Sequence, residues 1–257
     1  MNMKIPSVEE LAKNAVHIGH KTGKICPQML PYISGIQATL HIIDLEKTRE
    51  KLKQALDFLK KVAQDKGIIL FVGTKPVAKK LIRETAEAVD MPYVSEKWIG
   101  GTLTNFSVIS KSIEELKKMK EEKEKNVWSI YTKKEQLNLS RKLEKLEKLV
   151  GGLSKLDRLP DALFIVDLVE EKTALKEARK LGIPVVALVD TNANPTFVKY
   201  PIPANDDALK SVQFLLDLVK QAISSVKEKS EEKNEEKKEE NKEDGKENKK
   251  DKDKESK

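Results

Sequence analysis

Apolar residues recur along this chain in two rhythms. Continuous runs at Ile68-Ile-Leu-Phe-Val72, Ala162-Leu-Phe-Ile-Val166 and Val185-Val-Ala-Leu-Val189 read as strands buried on both faces. His41-Ile-Ile-Asp-Leu45 reads as a short strand, and Tyr93-Val94 begins another. Between them runs a helical period. Ser7-Val-Glu-Glu10 has capping-box spacing and starts a short helix through about Val16. Leu52, Ala55, Leu56, Leu59 and Val62 mark a helix over Glu46 to Gln64, ended by Gly67. Further helices are expected over Val77–Val89, Thr173–Leu181 (stopped by Gly182) and Asp207–Val226. Strands and helices alternate and the strands are aliphatic throughout, which argues for an α/β fold, a mostly parallel sheet with helices on both faces.

One stretch breaks the alternation. Ile109, Ile113, Leu116 and Lys120, then Leu139, Leu143, Leu146 and Leu149, recur at three and four residues on faces otherwise crowded with Lys and Glu. This predicts an inserted antiparallel coiled-coil helical hairpin. Each arm would be roughly 25–35 Å long at the helical rise. Val127-Trp-Ser-Ile-Tyr131 lies near its tip, an apolar cluster placed to seal it, and Gly151-Gly152 with Pro160 ends it. The chain then divides into 1–106 (N-terminal helix, basic loop and first part of the α/β domain), 107–150 (hairpin), 151–226 (remainder of the α/β domain) and 227–257. The last segment is almost free of apolar residues and rich in Lys and Glu, so it is expected to be disordered.

Composition narrows the function classes. Charged residues make up 35% of the 257-residue chain, above the roughly 25% usual for globular proteins. The net charge is +7, and residues 227–257 carry 12 Lys against 13 acids, so the excess positive charge belongs to the rest of the chain. A basic body favours a polyanionic partner. The single cysteine, Cys26, leaves no disulfide framework or Cys-based zinc module. With an N-terminal segment lacking an apolar h-region and no apolar run near 18 residues, this sets an expectation of a cytoplasmic, reducing setting without a membrane span.

Three acid-free stretches carry the candidate chemistry. Leu11 to Ile43 holds all three histidines with Lys13, Lys21 and Lys24, and Gly19, Gly23, Pro27 and Pro31 make it read as a stiff irregular loop. Lys97 to Ile113 opens on Trp98-Ile-Gly-Gly-Thr-Leu-Thr-Asn-Phe106. There the backbone at Gly100 and Gly101 could approach a phosphate, Thr102, Thr104 and Asn105 could bond phosphate or sugar, and Trp98 is expected to anchor the exit of the hairpin. Asn192 to Asn205, with three prolines, reads as a loop held by Asp190 and Asp206-Asp207. Phe71-Val-Gly-Thr-Lys75 is a strand-to-helix turn that could cradle a phosphate, but it lacks the spacing of either nucleotide fingerprint. Asp167 and Asp190 end strands and could pair for acid–base work or simply cap turns. His17 and His20 with Cys26 could ligate a metal only if the fold supplied Asp190 or Asp206, so a structural ion there is the one cofactor the sequence suggests. Lys21, Lys24, Lys75, Lys79, Arg83 and Lys97 are the expected phosphate contacts. The competing reading is a cytosolic α/β nucleotide-binding protein or enzyme built on Gly73-Thr74-Lys75 and the strand-end aspartates.

The motifs, taken in order, resemble one family. Ala15-Val-His-Ile-Gly-His-Lys-Thr22, Pro27-Gln-Met-Leu-Pro-Tyr-Ile33, His41-Ile-Ile-Asp-Leu-Glu-Lys-Thr48, Phe71–Lys75, Trp98–Phe106, Pro160–Asp167, Glu177–Asn192 and Tyr200–Ala208 follow the pattern of the bacterial small-subunit ribosomal protein two family over residues 8 to about 225. The resemblance implies a Rossmann-like (flavodoxin-like) sheet with an inserted coiled-coil hairpin and no catalysis. It implies a structural constituent of the small ribosomal subunit, binding small-subunit ribosomal RNA between head and body, beside other small-subunit proteins, and helping to dock ribosomal protein one. Gly23-Lys24-Ile25 stands where the family usually carries Arg and Trp, and Cys26 where Asn is usual, so that guanidinium and that ring are absent from the first loop.

Overall fold

The computed structural model describes residues 5–226; the expectation of a disordered 227–257 tail lies outside them. The chain opens with α1 (Val8–Lys13), started by a Ser7–Glu10 capping box and stopped at Asn14, shorter than its sequence period suggests because Ala15 turns to φ 57°. The stretch expected to be an irregular loop is instead a small antiparallel sheet, β1 (Ile18–Lys21), β2 (Ile33–Gln37) and β3 (Leu40–Ile43), in the order β1-β3-β2. Its strands are short and β2 is almost wholly solvent-facing, so no apolar alternation marks it in the sequence.

Asp44 then caps α2 (Leu45–Gln64) by accepting from Glu46 and Lys47 N–H. The main sheet follows as β4 (Ile69–Val72), α3 (Pro76–Ala88) and β5 (Tyr93–Val94), then the helix pair α4 (Phe106–Glu124) and α5 (Lys133–Val150), then β6 (Ala162–Val166), α6 (Lys172–Leu181), β7 (Val185–Val189), β8 (Tyr200–Pro203) and α7 (residues 209–226). Five parallel strands lie in the order β5-β4-β6-β7-β8. Numbered within the sheet this is 2-1-3-4-5, the flavodoxin-like variant of the Rossmann architecture.

Strand β8 falls in what reads as a proline-rich loop. The parallel ladder explains why prolines are tolerated there. Ala204 N–H donates to Val189 O, so by the period of two Tyr200 and Ile202 also turn their N–H toward β7, while Pro201 and Pro203 occupy the outward positions of an edge strand.

The sheet alternates between two cores. Ile69, Phe71, Phe164, Val166, Val186 and Leu188 face a layer formed by α1, α2, α3 and α7. Leu70, Val72, Leu163, Ile165, Ala187 and Val189 face α4, α5 and α6. Phe71 and Phe164 lie side by side at 5.5 Å between ring centroids. The apolar seam of the helix pair (Ile109, Ile113, Leu116, Met119, Leu143, Val150) belongs to the second core, so the base of the pair is part of the sheet's packing. Met119 is buried where the sequence period placed Lys120; Lys120 instead pairs with Glu147 at 2.6 Å, and Lys142 with Glu115 at 2.5 Å. At the tip only Trp128 is buried, with its indole donating to Glu122; Val127, Ile130 and Tyr131 stay exposed, which corrects the expectation of a sealed apolar tip.

Candidate functional site

Each parallel strand delivers its next residues to the same carboxyl-end edge, where ligands of this architecture usually bind, above all at the switch point between β4 and β6. Here that point is closed by charge. Lys75, just after β4, places Nζ 3.1 Å from Asp167, 2.7 Å from Asp206 and 2.5 Å from Asp207. Burial opposes the ammonium charge, but hydrogen bonds to Asp206 and Asp207 outweigh it and hold the Lys75 pKa above its usual value. Asp206 is fully buried, and burial together with the charges of Asp167 and Asp190 pushes its pKa up to about 7 despite Lys75. Thr74 N–H, the donor a phosphate would need, goes to Glu171 Oε1 at 2.6 Å. Desolvation holds the Glu171 carboxyl above its ordinary range. A turn ringed by Asp167, Glu171, Asp206 and Asp207 repels phosphate, so Gly73-Thr74-Lys75 is a structural turn and Lys75 is directed inward rather than at a polyanion.

The small sheet extends this cluster. Thr191, after β7, accepts from His20 N–H at 3.0 Å through its hydroxyl and from Cys26 N–H at 2.7 Å through its carbonyl. The approach is so close that a Cβ on Gly19 would lie 2.5 Å from the Thr191 methyl. This seats His20 over the sheet edge, with Nδ1 3.0 Å from Asp190 and Nε2 3.3 Å from Asp207. The hydrogen bond to Asp190 is the main cause of a raised His20 pKa, with burial working against it. Asp167 also caps the turn that follows it, accepting from Val169 and Glu170 N–H while its own backbone sits at φ 70°. Among the described residues His20, Asp190 and Asp207 are the group whose ligand atoms converge within 4.8 Å. His17 and Cys26 are not part of it; His17 lies in the turn that precedes β1, and Cys26 in the loop that follows it.

The Trp98–Phe106 loop is organised by a residue that no local pattern reveals. Glu177 on α6 accepts from the Trp98 indole at 3.0 Å, from Gly101, Leu103 and Thr104 N–H at 2.8, 2.9 and 3.1 Å, and from the Thr104 hydroxyl at 3.2 Å. Burial pushes the Glu177 carboxyl up, but these donors together hold it below its ordinary range. The backbone nest read from the sequence as a phosphate cradle is therefore filled by a carboxylate of the same chain. Thr102 is buried and bonds Ile99 O; Gly100, Thr104 and Asn105 face solvent, and Trp98 is buried. Glu177 is 73 to 79 residues away in sequence from the groups it binds, and only the topology brings it here.

The remaining cations lie outside this interior network. Lys21, Lys24 and Lys97 are exposed. Lys79 and Arg83 line a groove of about 640 Å³ between α3, β5 and the helix pair, together with Lys80, Lys120 and Lys148 against Glu87, Glu96 and Glu147. Arg83 bonds Glu87 at 2.9 Å and Lys79 bonds Glu96 at 2.9 Å. The residues expected from the sequence to meet phosphate thus divide into an inward group (Lys75, Gly101 and Thr102) and an outward one.

Residues 11–226 match the family described as Ribosomal protein S2. The chain is 47% identical over 221 residues (86% of this chain, 88% of the relative) to small ribosomal subunit protein uS2 of Chlorobium chlorochromatii (strain CaD3). It is 45% identical over 225 residues (88% and 84%) to the protein of the same description in a Nitratiruptor species.

Proposed function

The chain belongs to the ribosomal protein S2 family, and from that premise we propose that it is a structural constituent of the small ribosomal subunit that binds small-subunit rRNA between head and body. In this proposal it also contacts other small-subunit proteins and helps to dock ribosomal protein one. Its place of work is the ribosome and its role is not catalytic, as in its relatives.

The observation that carries the RNA reading is the partition of charge. The acids at the sheet edge are turned inward onto Lys75 and His20. The solvent face presents Lys21, Lys24 and Lys97, and a groove whose five cations, Lys79, Lys80, Arg83, Lys120 and Lys148, outnumber its three acids, Glu87, Glu96 and Glu147. A cationic outer face over a closed polar interior suits counterion-releasing attachment to phosphates. Gly100, Thr104 and Asn105 add neutral hydrogen-bonding groups at the root of the helix pair.

The test combines sedimentation with binding. In low-salt sucrose gradients of cell extract most of the protein should travel with small subunits. Charge reversal of Lys80, Arg83 and Lys148 together should weaken filter binding to small-subunit rRNA. It should also reduce the slope of log K against log salt by up to about 2–3, since each phosphate no longer neutralised removes roughly 0.7–0.9 from the slope. A mainly free pool, or a triple variant with unchanged affinity and slope, would sink the proposal.

A further inference from the structure

Phe197, in the acid-free stretch that leads into β8, is a large ring left 46% exposed. The chain around it is fixed. Pro195 and Val198 are buried on either side of it. Asn194 Oδ1 accepts from Thr196 N–H at 2.9 Å and from the Thr196 hydroxyl at 2.7 Å, and Val198 N–H donates to Pro195 O at 3.3 Å. A ring that burial would stabilise is thus held outward by the burial of its neighbours. Nearby Tyr200, by contrast, has its ring stacked on Phe58 at 4.3 Å between centroids.

Charge gathers around the exposed ring. Arg179, in the last turn of α6, places its guanidinium carbon 4.8 Å from the Phe197 ring centroid, and among the described residues it pairs with no carboxylate. Ring and guanidinium line a groove of about 290 Å³ with Ile183, Pro184 and Lys199, and no acid lines it. The exposed face of α6 adds Lys172, Lys176 and Lys180, while the one acid of that helix, Glu177, is buried and turned onto the Trp98 loop. The groove lies where β7 and β8 begin, at the opposite edge of the five-stranded sheet from the groove beside β5.

The pairing of an exposed ring with unpaired cations narrows the ligand. An acidic protein segment would use the cations and leave the ring in water. A duplex would offer phosphates but no open base face. An unpaired nucleotide supplies both, a π-face for ring and guanidinium and phosphates for the lysines beside them. We propose that Phe197 and Arg179 form a stacking site for one unpaired RNA base, with Lys180 and Lys199 on the flanking phosphates. The inference rests on the RNA reading above and adds to it a second contact face, one that takes single-stranded RNA. Because every base has a π-face, the site distinguishes unpaired from paired nucleotides and not one base from another. The fixed loop presents the ring already ordered, which lowers the entropy lost on binding.

The experiment measures binding of the full-length chain to a uridine octamer and to an RNA duplex of the same length. F197A should weaken octamer binding about 5- to 100-fold. It should leave the slope of log K against log salt unchanged, because no cation is lost, whereas R179A should weaken binding and reduce that slope by about 0.7. F197W should bind the octamer at least as well as wild type, and duplex binding should not distinguish F197A from wild type. Ultraviolet irradiation of the wild-type complex should crosslink a uridine to Phe197, a measurement that stands even if a variant fails to fold. Unchanged octamer affinity in F197A, loss in F197W, equal competition by octaglutamate, or crosslinks that avoid Phe197 would each overturn the stacking site. If F197A binds the octamer as wild type does while charge reversal of Lys80, Arg83 and Lys148 still weakens rRNA binding, the stacking site fails and the RNA reading stands. If neither change has any effect, both fail.

Discussion

Glu177 accepts five hydrogen bonds from a loop on another element, and no other described side chain holds so many backbone groups of Trp98–Phe106 in place. Leaving three N–H groups and an indole without their acceptor in a half-buried loop is expensive, at roughly 1–3 kcal/mol per buried group. E177A should therefore lower unfolding free energy by about 3 kcal/mol or more in urea titration, with E177Q intermediate because one oxygen remains. The effect should depend on pH. The folded-state carboxyl lies below its ordinary range, so its stabilisation is fully present above the unfolded value of about 4.3 and is lost as pH falls through the folded value. The stability gap between wild type and E177Q should narrow from about pH 6 toward about pH 3; a gap that stays constant would show that the ionised form is not what the loop needs. Trp98 and Thr102 act in the same packing, so substitutions there should affect stability at least as much as RNA affinity.

At the scale of elements, the β2–β3 hairpin turns through Ala38 and Thr39 at φ 47° and 70°. Two successive left-handed residues are the type I′ geometry that suits Asn-Gly, and a β-branched residue is the least suited to it. Replacing Ala38-Thr39 by Asn-Gly should stabilise the protein by about 1 kcal/mol, read as a rise in the midpoint of thermal unfolding; no rise would mean that the turn is not held in this geometry in solution. The helix pair makes a different prediction. Its proximal residues Ile109, Ile113 and Val150 belong to the sheet's second core, whereas the tip residues Val127, Ile130 and Tyr131 are exposed. Removing residues 121–136 with a short linker should leave one cooperative unfolding transition, while removing 107–150 should abolish it by baring the sheet face. Equal tolerance of both deletions, followed by circular dichroism, would contradict a shared core.

At the scale of the molecule, Lys75 joins the end of β4 to the ends of β6 and β8 through Asp167, Asp206 and Asp207. Removing one partner of a buried charge cluster strands the others, at about 3–5 kcal/mol. K75M should therefore lose about that much stability in denaturant titration and lose rRNA affinity only through unfolding. A stable K75M with weakened RNA binding would return this lysine to the set of phosphate contacts.

The chain's own pattern settled a good deal. Aliphatic runs too apolar for a one-sided sheet require cover on both faces, which is why β4, β6 and β7 and their flanking helices could be read directly from residues 68–72, 162–166 and 185–189. The break in that alternation announced the helix pair, and the excess of cations is the sequence's ground for expecting a polyanionic partner. The tertiary structure alone decided which charges meet which. Glu177 fills the nest at Gly101–Thr104, Lys75 turns into three aspartates, and His20 reaches Asp190 and Asp207 from the far end of the chain. Hydrophobic burial follows a local period and is written in short windows. Pairing of a donor or a charge depends on whichever group the folded topology brings within about 3 Å, and no window of sequence contains that distance.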